Sequence, residues 1–310
     1  MAKTNRYSSQ QSNELNVCKF RLASFDLLTD FLEKLNKENK NKLNSLSKCS
    51  GNFRHSSVME SILFMTKALR LDPHVGYHAN ELLQSFMIKH LTHLLTTPSL
   101  QGASGIPPIS YEDAVLDLVK EKFPFIIFSC VQLASKMSLH VNIIDNNTAV
   151  HFLQSLGFTA TKKYLLDSEL MVLKGLDFKL EVANPLIYVE ILLEVLGYNK
   201  PSVPIEHIYD LCQQVLQFVV LERFTIYDSL LMVITRSQQP TTEQREKFVT
   251  VTEDWMLLGV AVIAAALYIF HISQWEEVVR ELSNTTGISW RTIMDFAVVI
   301  LLHLTDSSGL

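Results

Sequence analysis

Ser129-Cys130-Val131-Gln132-Leu133-Ala134-Ser135-Lys136 and, further on, Glu169-Leu170-Met171-Val172-Leu173-Lys174-Gly175-Leu176-Asp177-Phe178 are the two runs that say most about this chain. The first reads as a helix packed on every side. Small residues (Ser129, Cys130, Ala134, Ser135) stand where neighbouring backbones must approach. Cys130 and Ala134 lie four apart, on one helix face, and are expected at the centre of a bundle. The run ends in a single lysine. The second run is an amphipathic helix that carries one early glutamate. Each of the two helices thus carries one conspicuous charge.

Working outward, Pro124 interrupts the pattern ahead of the first run. It either kinks one long helix with Tyr111–Lys122 or starts a new one at its first turn. Ser57-Val58-Met59-Glu60 has the spacing of a capping box and sets the start of an earlier helix. That helix stops before Asp72-Pro73, and another follows from Val75 to Leu95. Pro98–Ser110, with Gly102, Gly105, Pro107 and Pro108, reads as a flexible loop. Thr148–Leu156 and Lys162–Leu176, separated by Gly157, complete the group. Pro185 opens a second group, with helices to Leu196, over Pro204–Glu222, Thr225–Thr235, Glu253–Ile272, Trp275–Ser283 and Trp290–Leu304. Ser237–Lys247, with Pro240, reads as a polar loop. No strand-like alternation appears, so the class is all-α.

Trp255–Phe270 carries no charge and could pass for a membrane span. It is bounded by Glu253-Asp254 and His271, and a span needs about 20 residues. Gly259, Ala261, Ala264, Ala265 and Ala266 suit a helix surrounded by helices, so a buried core helix is expected and no membrane association. It would be the central helix of the second group, as Phe125–Leu139 is of the first. The N-terminal stretch 1–56 reads as a polar extension with one helix. Residues 1–23 are expected to be disordered. Ser24 can cap a helix with Phe25, Leu28, Phe31, Leu32 and Leu35 on one face. Asn36–Gly51 is a solvated continuation or linker.

A chain of 310 residues holds two domains of ordinary size, here 57–180 and 184–304. A net charge of −5 argues against the basic footprint of direct nucleic-acid binding. The four cysteines (Cys18, Cys49, Cys130, Cys212) are scattered, which argues against a disulfide framework or a zinc site and for a reducing compartment. His90 and His93 share a helix face, but no carboxylate or cysteine stands beside them in sequence, so a solvated surface is expected. There is no phosphate loop, nucleophile motif or apolar signal core. The residues support binding, with no cofactor, no metal and no catalytic group.

The two opening runs resemble the third and fifth helices of a cyclin box. Met59-Glu60-Ser61-Ile62-Leu63 sits where the cyclin family carries Met-Arg-Ala-Ile-Leu, and Ala79–Met87 resembles the second box helix. Phe178-Lys179-Leu180-Glu181-Val182-Ala183-Asn184-Pro185 resembles the linker into a second repeat. The likeness spans roughly residues 57–200 and implies a cyclin fold of two five-helix repeats plus an N-terminal helix. It also implies that Lys136 and Glu169 contact the regulatory helix of a cyclin-dependent kinase. Without the resemblance, Lys136 is a helix-end lysine favoured by the C-terminal dipole and Glu169 an exposed acid. With it, both are expected together on one exposed face.

Three departures weaken an activating role. Met137-Ser138-Leu139 replaces the Phe-Glu-Glu of many kinase-activating cyclins. The arginine of the first helix is Glu60 and its aspartate partner Gln84, which removes a buried ion pair. The tryptophan of the substrate-docking patch is Thr66, while Met59 and Ile62 are kept. The runs Ser129–Lys136, Phe152–Gly157, Glu169–Phe178 and Leu192–Asn199 are similar to one branch of the family. That likeness implies a non-enzymatic regulatory or scaffold protein of meiotic recombination, in crossover maturation. Its expected location is the nucleus, on meiotic chromosomes, and also the cytoplasm. Expected partners are recombination proteins and/or a cyclin-dependent kinase. The rival readings are a kinase-activating subunit in cell-cycle control and, disfavoured by the acidic charge, a nucleic-acid-binding cyclin fold.

Overall fold

Apolar residues recurring every three or four positions must bury one face of each helix against another. In this chain that produces an all-α, cyclin-like architecture. The structure is a computed structural model and describes residues 20, 23–46, 50, 51, 53–96, 111–138, 143–271, 273 and 275–307, the side chains of 94–96 and 111–121 excepted. Thirteen helices are found among the described residues: α1 (Phe25–Asn44), α2 (Ser56–Ala68), α3 (Pro73–Thr96), α4 (Tyr111–Met137), α5 (Asn146–Ser155), α6 (Lys162–Gly175), α7 (Pro185–Asn199), α8 (Ile205–Leu221), α9 (Arg223–Thr235), α10 (Thr242–Thr252), α11 (Trp255–Ile269), α12 (Trp275–Thr286) and α13 (Trp290–Ser307). No strand occurs among them.

Two apolar cores form. In the first, α4 packs against α2, α3 and α6. Ile126–Ser135 is buried without a break, and Cys130 and Ala134 are 0% and 1% exposed, at the centre as their spacing predicts. Pro124 lies inside α4, so the helix is one long element rather than two. In the second core, α11 packs against α7, α8, α12 and α13. Every residue from Trp255 to Leu267 is buried, which accounts for the uncharged run. Gly259 lets the backbones of α11 and α7 close up, since a Cβ there would lie 3.3 Å from the Cβ of Tyr188. No single helix among the described residues is long and apolar enough to cross a membrane.

Four local readings are corrected. The second group holds seven helices among the described residues rather than five. One of them, α10, lies largely where a polar loop was expected. Thr241 caps it in a box with Gln244, and only Phe248 is buried, so its composition hides it. The capping box expected at Ser57–Glu60 is absent. Instead α2 begins at Ser56, where the His55 ring nitrogen accepts from the Ser57 amide. The helix capped by Ser24 runs on to Asn44 as a largely exposed continuation, but Asn39 within it is turned inward and only 4% exposed. Finally, Phe20 of the polar extension is buried, its ring edge-on to Tyr209 at 5.1 Å. Residues 1–19, the Pro98–Ser110 loop, Leu139, Cys18 and Cys49 lie outside the described residues.

The two groups meet directly. α2 touches α8, and α3 touches α7. The His74 ring bonds the Glu190 carboxylate at 2.8 Å, and the His78 ring bonds the Leu180 carbonyl at 2.7 Å. His90, read as a solvated surface histidine, stacks on Phe86 with centroids 4.9 Å apart.

Candidate functional site

Thr161 caps α6 by accepting from the Tyr164 amide. From there α6 turns Leu165, Ser168, Glu169 and Val172 inward. The hydroxyls of Ser168 and Ser129 bond each other at 2.8 Å and clasp α6 to α4. This register carries Glu169 under the last turn of α4, where Lys136 forms an ion pair with it. The structure thus brings the two expected residues together. It divides their exposure, however, with the Lys136 side chain 37% exposed and that of Glu169 only 10%. The carboxylate sits in the α4–α6 seam, and only the lysine reaches the surface. Exposed apolar residues stand near them along the helices: Leu166 and Leu170 on α6 are both 43% exposed, and Met137 next to Lys136 is 47% exposed. Ile143, where the chain is next described, is 57% exposed.

The docking-patch residues face the other way. Met59, Ile62 and Thr66 are 2%, 0% and 5% exposed. Ile62 belongs to the first core and Met59 to the second. A groove of about 650 Å³ opens beside them, and its α2 wall includes Val58, Ser61, Phe64 and Met65, facing Phe123 and Ile127 of α4. One position along a helix is a rotation of about 100°, and that rotation separates the inward set from the groove set. The exposed Phe64 (56%) marks the outward face.

Sequence reasoning missed the most highly charged part of the interior. Glu60 is exposed, and Gln84 is buried with no hydrogen-bond partner for its amide among the described residues. A buried ion-pair cluster lies elsewhere in the same interior. Arg54, just before α2, holds Glu81 of α3 with both terminal nitrogens, at 2.5 and 2.8 Å, while its Nε reaches the Glu253 carboxylate at 3.2 Å. Arg223, at the start of α9, donates to the same Glu253 at 2.8 Å. Lys42 of α1 lies 3.4 Å from Glu253, 3.7 Å from Glu81 and 3.7 Å above the Trp255 ring. Nearby, Asn39 bonds the Asp254 carboxylate at 2.8 Å and accepts from the Trp255 amide at 3.1 Å. Three cations and two carboxylates thereby tie α1, α3, α9 and α11 into one unit. The sequence trace of this cluster is Glu253, an acid abutting an uncharged core helix.

Burial raises the Glu81 and Glu253 carboxyls, but the Arg54 and Lys42 charges, joined at Glu253 by Arg223, outweigh it and hold both below the ordinary value. Burial lowers Lys42 to about 8 against the pull of Glu81 and Glu253. Depressed carboxyls add stability above the unfolded value, and that stability is lost as pH falls through the folded values. A depressed lysine has the opposite consequence on the alkaline side: its cost lifts as pH rises above about 8. The urea midpoint is therefore expected to fall as pH drops below the ordinary carboxylate range, and much less in the Glu81→Gln, Glu253→Gln double variant. An equal acid slope in both proteins would show that these carboxyls do not set it.

No group of three or more metal-binding side chains occurs among the described residues. Two helical groups, each around a buried central helix, with a lysine and a glutamate paired across the third and fifth helices of the first group, define a cyclin-like protein. No protein-family profile matches the chain. The mouse protein called cyclin N-terminal domain-containing protein 1 is 36% identical over 284 residues, covering 92% of this chain and 85% of the relative. Its human counterpart is 37% identical over 284 residues, with 92% and 86% covered. The chain belongs to the cyclin N-terminal domain-containing protein 1 family.

Proposed function

We propose that this chain is a non-enzymatic cyclin-like scaffold that acts in the nucleus, in the maturation of crossovers during meiotic recombination. It uses the Lys136–Glu169 face to hold a protein partner. One observation carries the scaffold reading over kinase activation. The residues after Lys136 are Met137 and Ser138 rather than acids, and Glu169 is closed onto Lys136 inside the α4–α6 seam. Directly after Lys136 the chain thus presents methionine and serine in place of acids that could meet a kinase activation segment. The meiotic assignment draws on the resemblance to one family branch and on the 36–37% identity to its mouse and human members.

The second reading is a regulatory subunit that activates a cyclin-dependent kinase. It draws on the same Lys136 and Glu169, and on exposed Met137, Ile143, Leu166 and Leu170 as an anchor surface. Affinity purification of the chain from germ cells separates the two. Recovery of recombination proteins is the expected result. Recovery of a kinase catalytic subunit alone would favour the second reading.

A further inference from the structure

Helix α13 has two faces of different character. Ile293, Phe296, Ala297, Val299 and Ile300 are buried against α9, α11 and α12. Opposite them, Val298 is 43% and Leu302 58% exposed. Beside this outer face α9 ends in Val233 and Ile234, 47% and 48% exposed. A groove of about 470 Å³ runs along it, with Val233, Trp290, Met294, Asp295, Val298 and Leu302 in its walls. Arg291 stands exposed in the first turn of α13 and Asp306 exposed near its last residue. Arg291, Met294, Val298, Leu302 and Thr305 recur at spacings of three and four, which places them on one stripe.

We propose that this stripe joins two copies of the chain, with their α13 helices antiparallel about a two-fold axis near Val298. In that register Met294 of one copy meets Leu302 of the other, and the same contact recurs across the axis. Arg291 of each copy comes opposite the Thr305–Asp306 turn of the other, so two ion pairs close the ends. A parallel arrangement would instead set arginine on arginine and aspartate on aspartate. Isologous association needs a surface complementary to itself. This face meets that need, because the exposed Leu302 and the groove residues Met294 and Val298 lie on the same stripe. An 18-residue helix gives a contact about 27 Å long. Val233 and Ile234 widen it towards the roughly 800 Å² per partner of a standard interface. The proposal is independent of the Lys136–Glu169 reading. That pair lies in the first helical group, so a dimer would present it twice.

Sedimentation equilibrium of the full chain across a wide concentration range tests this. The mass is expected to rise from one chain to two. Leu302→Glu should abolish the rise while its circular dichroism and melting stay unchanged, since the residue is exposed. Arg291→Glu and Asp306→Arg should each weaken association by about tenfold, and the two together should restore it. A monomer at every concentration would overturn the proposal. So would a dimer indifferent to Leu302→Glu, or charge variants whose combination does no better than either alone.

Discussion

Arg54→Met is expected to lower the stability of the chain by about 3–5 kcal/mol. The side chain is 3% exposed and Glu81 and Glu253 are 4% and 2% exposed, so its loss leaves two carboxylates out of water without their main partner. Lys42, near both acids, and Arg223, on Glu253 alone, soften the loss but do not replace the hydrogen bonds that the guanidinium gives both. Two of the flanking elements, α1 and α11, are held through this cluster, so the damage should spread beyond the site. Methionine keeps much of the volume and lets the charge be judged apart from the packing. Urea denaturation measures the change. A loss below about 1 kcal/mol would mean that the cluster behaves as an exposed ion pair does.

Phe86→Ala should cost a similar amount, about 3–5 kcal/mol. Phe86 is 0% exposed, and its ring lies over the last turn of α6, where a Cβ on Gly175 would fall 2.5 Å from it. Glycine is what lets the ring come so close. Truncation opens a cavity where α3 meets α6, the helix that carries Glu169. The denaturation midpoint should drop with an unchanged slope. A loss near that of a surface change would show that α3 and α6 collapse into the gap.

How much of this was legible in the sequence depended on how repetitive each feature is. The buried helices α4 and α11 declare themselves through long runs of apolar and small residues, as at Ser129–Lys136 and Trp255–Leu267. The pairing of Lys136 with Glu169 followed from the family resemblance. Periodicity does not set the rotation of a helix to within one residue, and so the inward turn of Met59, Ile62 and Thr66 went unseen. Nor does it find partners far apart in sequence: Arg54 and Glu253 stand 199 positions apart, and neither lies in a patterned run. α10 escaped because only Phe248 is buried, which leaves no apolar stripe to read. Asn39 escaped because a polar residue on an inner helix face looks like solvent contact until its partners are placed.

The central claim is that the Lys136–Glu169 face holds a partner without activating a kinase. Reconstitution of the full chain with a panel of cyclin-dependent kinases tests it most directly. The account predicts phosphorylation rates no higher than those of the kinases alone, and recovery of the germ-cell partner weakened in Lys136→Ala and Glu169→Ala chains. Robust activation by the natural chain, lost in both variants, would contradict it.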